Sequence, residues 1–162
     1  MNNFFKYYNK TLGNITAVLM LLMMINVFLD VLLRYFFHTG SIGMQEMEWH
    51  LFSIMFLLGI SYALSDESHV RVDFIYDNIS SNKKAYVNIF GTIFMLIPFA
   101  ILIVYGSYDF VYDAYSFNEI SEDPGGLEYR WIIKFMIPFS FSLLLLSSVG
   151  YIYKNIQILN GK

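Results

Sequence analysis

Residues 85–108 read AYVNIFGTIFMLIPFAILIVYGSY, an unbroken run without Asp, Glu, Lys, Arg or His. A helix needs about 20 predominantly apolar residues to cross a bilayer core, and this run is the cleanest such segment in the chain. Working outward, three more segments qualify. Residues 11–29 carry no charge, and their apolar pattern continues to Phe37. Residues 51–65 are charge-free and extend backwards through Trp49 and Met47. Residues 135–153 form the last. The reading is an all-α integral membrane protein, one domain over 1–162, with spans at 11–37, 44–65, 85–108 and 131–153. Pro98 lies in the middle of the third span and is expected to kink it, because proline cannot donate the i→i−4 bond.

Composition agrees. Of 162 residues, 57% are hydrophobic and 14% charged, with a mean hydropathy of +0.52. A soluble domain carries about 25% charged residues. The net charge of −3, with no Lys/Arg run, does not suggest a nucleic-acid partner, and none is expected. Cysteine is absent, which excludes disulfide exchange, thiolate metal sites and iron–sulfur ligation. The first span is not read as a cleaved signal peptide. Its apolar run is too long, and Arg34-Tyr35-Phe36-Phe37 follows where a small-residue cleavage site would stand.

Basic residues set the orientation. Lys6 and Lys10 precede span one, Arg71, Lys83 and Lys84 lie between spans two and three, and Lys154 and Lys162 follow span four. Only Arg34, Arg130 and Lys134 fall at the opposite ends. The positive-inside rule therefore places both termini and the 66–84 loop in the cytoplasm. Between spans two and three, Val72, Ile75, Tyr76 and Ile79 recur at i, i+3, i+4, i+7. That spacing predicts a short amphipathic helix in the cytoplasmic interface. On the other side, Asp123-Pro124-Gly125-Gly126 is a turn signal.

Several polar residues stand out against this background. Asn26, Asp30 and Arg34 recur every four residues on one face of span one. Asp30 precedes Arg34 by one turn, the favourable order for a helical ion pair. The triad reads as a locally neutralised pair, as a seam that docks another helix, or as a relay lining an ion-conducting oligomer. Glu46, Glu48, Trp49 and His50 open span two; Trp49 suits an interfacial anchor, and the acids suit Arg34, Arg130 or another chain. Glu46 and His50, at i, i+4, are two zinc-compatible ligands without a third. A four-helix b-type cytochrome would need facing histidines inside the bundle, whereas His38, His50 and His69 all fall at span ends. No phosphate-binding glycine loop and no nucleophile–base set is present, so no catalytic residue and no cofactor is expected. A small four-span protein of this kind is expected to serve a larger membrane partner.

With these motifs in order, the chain resembles the DctQ-type small membrane subunit of TRAP (tripartite ATP-independent periplasmic) transporters. The resemblance rests on Arg34-Tyr35 ending span one and on Gln45-Glu46-Met47-Glu48-Trp49-His50-Leu51-Phe52 opening span two. It continues through His69-Val70-Arg71-Val72-Asp73, then Ser121-Glu122-Asp123-Pro124-Gly125-Gly126-Leu127, Arg130-Trp131, Lys134 and Pro138. Two packing positions depart from the family pattern: Ser140, where Gly is frequent, and Ile54-Met55-Phe56, where a Trp is frequent. The resemblance implies a non-catalytic scaffold beside a large elevator-type permease subunit. That complex would take up organic acids or related solutes on an ion gradient in a bacterial or archaeal cytoplasmic (inner) membrane. A periplasmic solute-binding protein would deliver the solute. Asn26, Asp30, Arg34, Glu46, Glu48 and Trp49 would then be interface or structural residues, and His69, Arg71 and Asp73 a cytoplasmic loop signature. Glu122, Asp123 and Arg130 would belong to a docking loop for the binding protein.

Overall fold

The computed structural model describes residues 3–66 and 80–160. Helix α1 covers Asn3–Phe37 and α2 covers Ile42–Ser65. The third crossing comprises α3 (Ser81–Gly91), a π-helical turn (Thr92–Leu96), α4 (Ile97–Gly106) and α5 (Tyr108–Ser116). Helix α6 covers Trp131–Leu159. Four stretches among the described residues are long and apolar enough to cross a membrane: Asn3–Phe37, Ile42–Ser65, Ser81–Ser116 and Trp131–Leu159. The expected interfacial helix and the signature residues His69, Arg71 and Asp73 lie outside the described residues.

The helices outrun the predicted spans. Helix α1 starts before residue 11, the third crossing continues to Ser116, and α6 continues past 153. Charge limits what lipid will cover and does not limit helix length, so Lys6, Lys10 and Asp109 are carried on helical turns beyond the apolar runs. Ser107 marks the seam between α4 and α5, its hydroxyl donating to Ile103 O at 2.7 Å. At Pro98 the structure resolves the predicted kink into a widened turn. The N–H of Ile97 reaches Thr92 O, one residue further than an α-helix allows. A proline ring crowds the carbonyl four residues back, and a π turn just before it gives the backbone room.

The tight α1–α2 connection is set by local chemistry. His38 ends α1 in the left-handed conformation (φ 54°), and the Thr39 N–H reaches back to Leu33 O at 3.4 Å, closing the helix end. Ser41 then caps α2, accepting from the Met44 N–H at 3.4 Å. The two helices therefore form an antiparallel hairpin. In sequence of contact, α1 packs on α2, α2 on α6, and α6 on the third crossing. Helices α2 and α6 are thus the centre, and α1 and the third crossing are the flanks.

The interior is built of small and polar residues. Ser61, Ser140, Ser147, Ser148 and Asn155 are the largest of its fully buried side chains, while Phe28, Phe94 and Leu102 face outwards. Lipid offers no hydrophobic reward for burying leucine, so membrane helices associate through close backbone approach and interhelical hydrogen bonds. Ser61 donates to Ser140 O (3.5 Å), linking α2 to α6. Asn88 Nδ2 donates to Asn155 Oδ1 (2.9 Å), and Asn155 Nδ2 donates to Tyr151 O (2.8 Å), linking α3 to α6. The Tyr8 hydroxyl donates to Leu143 O (2.9 Å), tying the start of α1 to α6. Beside it the Phe5 ring lies against Gly150, where a Cβ would come within 2.5 Å of the ring.

Candidate functional site: a pinned loop and a polar cleft

Apart from His69, Arg71 and Asp73, which lie outside the described residues, the residues singled out by sequence gather at one end of the molecule, where α1 ends, α2 begins, α5 ends and α6 begins. One carboxylate organises the 117–130 loop there. Glu46, one turn into α2, accepts the Ser121 hydroxyl on one oxygen and the Leu127 N–H (2.5 Å) on the other. The Ser121 N–H donates to Leu127 O at 3.1 Å, and the Asp123 N–H to Ser121 Oγ at 3.2 Å. The predicted turn forms between them: the Gly126 N–H donates to Asp123 O (3.0 Å), with Gly125 at φ +86°. Proline second and glycine third is the pattern such a turn demands. Gly126 is equally constrained, since a Cβ there would sit 2.7 Å from Glu46 Oε2 and 2.5 Å from Ser121 Cβ.

A second carboxylate holds the base of the loop. Glu119 accepts Lys134 Nζ from α6 and lies 3.9 Å from Arg130 Nε, and the Arg130 N–H donates to Glu119 O at 3.1 Å. Lys134 Nζ also stands 4.0 Å from the centre of the Phe110 ring, and Trp131 meets Tyr115 edge-on at 5.5 Å. Both basic groups that start α6 are therefore committed to Glu119. The exposed carboxylates of Glu122, Asp123 and Glu128 have no ion-pair partner among the described residues.

The Asn26, Asp30, Arg34 face divides. Asn26 turns inwards, donating to Met44 O at 2.8 Å across the α1–α2 hairpin. Asp30 is buried and paired with Arg34, whose side chain is half exposed. Glu48 joins this pair in lining an open cleft. Trp49 points away from it, 72% exposed, on the outward surface of α2. His50 Nδ1 lies 2.6 Å from the backbone oxygen of Glu46, whose carboxylate is spent on the loop, so the two side chains do not converge on a shared point.

Sequence reasoning missed the use made of Glu119, Ser121 and Lys134, and it missed the Asn88–Asn155 bridge. Asparagines facing each other within apolar spans were the available signal. For the loop residues the partner stands 75 positions away in the case of Ser121 and Glu46, and no local spacing reports such a pair. A groove of about 900 Å³, open and mostly apolar, runs past Leu64, Thr92, Phe99 and Leu144.

Comparison with known proteins agrees with this architecture. The family model for the DctQ component of tripartite ATP-independent periplasmic transporters matches residues 23–157. A TRAP transporter small permease protein of Haemophilus influenzae is 32% identical over 130 residues, 80% of this chain and 80% of that protein. Another of the same name and organism is 31% identical over 102 residues, 63% of this chain and 61% of that protein. The sialic acid TRAP transporter permease protein SiaT of Haemophilus influenzae is 24% identical over 127 residues, which is 78% of this chain and 20% of that longer protein.

Proposed function

From a chain that belongs to the DctQ family of tripartite ATP-independent periplasmic transporters, a multi-pass membrane component and not an enzyme, we propose a fixed scaffold for a separate large permease subunit. The large subunit carries the solute, an organic acid or related compound, on an ion gradient across the cytoplasmic membrane. Both termini lie in the cytoplasm and the 117–130 loop in the periplasm, where it contributes to docking a solute-binding protein. The interface or structural residues are Asn26, Asp30, Arg34, Glu46, Glu48 and Trp49; His69, Arg71 and Asp73 serve the cytoplasmic loop; Glu122, Asp123 and Arg130 serve docking.

The observation that carries this reading is the double fastening of the loop end. Glu46 and Glu119 tie the 117–130 loop to α2 and α6, so this end of the molecule is held together as one piece. A scaffold has to resist the force exerted by a moving neighbour, and fastening of this kind supplies that resistance. The test is uptake into proteoliposomes holding this chain, the large permease, or both, with the binding protein outside. Uptake is expected only with both. Uptake by this chain on its own would overturn the scaffold role.

A further inference from the structure

Asp30 is 5% exposed and uses only half of its carboxylate. Oδ2 is held by the Arg34 guanidinium one turn along, while Oδ1 is buried and accepts nothing. The same residue lines an open cleft of about 500 Å³ with Val27, Val31, Arg34, Tyr35 and Glu48. Two carboxylates therefore face one guanidinium. Glu48 has no ion-pair partner among the described residues, so the cleft is short of one positive charge and one hydrogen-bond donor. An unsatisfied carboxylate oxygen is costly when buried, and ionisable groups in membrane spans are normally paired with one another or with backbone. Helix α1 is a flank of the molecule, and Val31 and Tyr35 on the lip of the cleft are exposed.

Resting on the scaffold reading above, we propose that this cleft receives a lysine or arginine side chain from a transmembrane helix of the large permease. Its N–H donates to Asp30 Oδ1, and its charge balances Glu48. The Arg34 side chain, half exposed on a flexible stem, swings aside to admit it and keeps its hold on Oδ2. Charge complementarity selects the occupant: the cleft offers acceptors in excess, and a helix-borne cation supplies donor and charge together.

The test uses the co-expressed complex, with a benzoylphenylalanine photocrosslinker at Val31 or at Tyr35 and peptide mapping of the adducts. The expected adduct lies on a spanning segment of the large permease, within one helical turn of a Lys or Arg. If the permease co-purifies but its adducts lack a nearby basic residue, or only lipid is labelled, the cleft assignment is wrong and the subunit reading stands. If the permease does not co-purify, the subunit reading itself fails and takes the assignment with it. As a second measurement, Asp30→Asn should lower permease recovery by about tenfold, the scale of one charged hydrogen bond. Replacing that basic residue with Gln should cost less on the Asp30→Asn background than in the wild type, the remaining cost being its pairing with Glu48. Additive losses from the two changes would contradict the pairing.

Discussion

Gly126 has no space for a methyl group. The nearest atoms to a Cβ there belong to Ser121 and to the Glu46 carboxylate, the two groups that fasten the loop. Gly126→Ala is therefore expected to break the latch at a cost of about 1–3 kcal/mol, the range for overpacking a tight site. The readout is a lower melting temperature in detergent with faster proteolysis within 117–130. Glu46 gives the complementary pair of variants. Glu46→Gln keeps one acceptor, and the Ser121 hydroxyl can rotate to accept in turn, so loop proteolysis should rise only slightly. Glu46→Leu leaves the Leu127 N–H without a partner, and the loop should be cut as readily as in Gly126→Ala. Equal proteolysis of the wild type and Glu46→Leu would show that the loop is held by other means. The turn at Asp123-Pro124-Gly125-Gly126 was legible from its own residues, because proline and glycine fix their dihedral angles locally. Its fastening to Glu46 was not, because residues 75 or more apart in sequence meet only once the helices have packed.

Among the helices, the polar interior decides the packing. The Asn88–Asn155 bridge joins α3 to α6 with one interhelical hydrogen bond. A double-mutant cycle with Asn88→Ala and Asn155→Ala should return a coupling of about 0.6 kcal/mol and no more than about 1.7, as for other hydrogen bonds inside membranes. The measurement is reversible unfolding in mixed micelles, and zero coupling would remove the bridge from the account. Four crossings were readable from four charge-free runs, since the cost of charge in lipid is written directly into composition. Which helix occupies the centre was not. Helix α6 lies there because its serines and Asn155 permit close approach on more than one side, and hydropathy registers serine only as a weakening of the apolar signal. Ser140 illustrates this. It is small and sits buried against Ser61, so α2 and α6 approach closely there. The π turn before Pro98 was legible as an irregularity but not in kind, because kinks and widened turns relieve the same clash.

For the whole molecule, orientation is open to direct labelling. The natural absence of cysteine makes the chain its own background for labelling. A single cysteine replacing Glu122 should react with an impermeant maleimide added to intact cells, and one replacing Lys84 should react only after the membrane is opened. The opposite pattern would invert the proposed topology. The central claim is that this chain exists to hold a larger permease, and affinity purification from its native membranes in mild detergent tests it most directly. The expected product is a complex containing the chain and one multi-span permease in equal amounts, with no haem absorbance. Recovery of the chain by itself, as a homo-oligomer that conducts ions or binds haem, would contradict it.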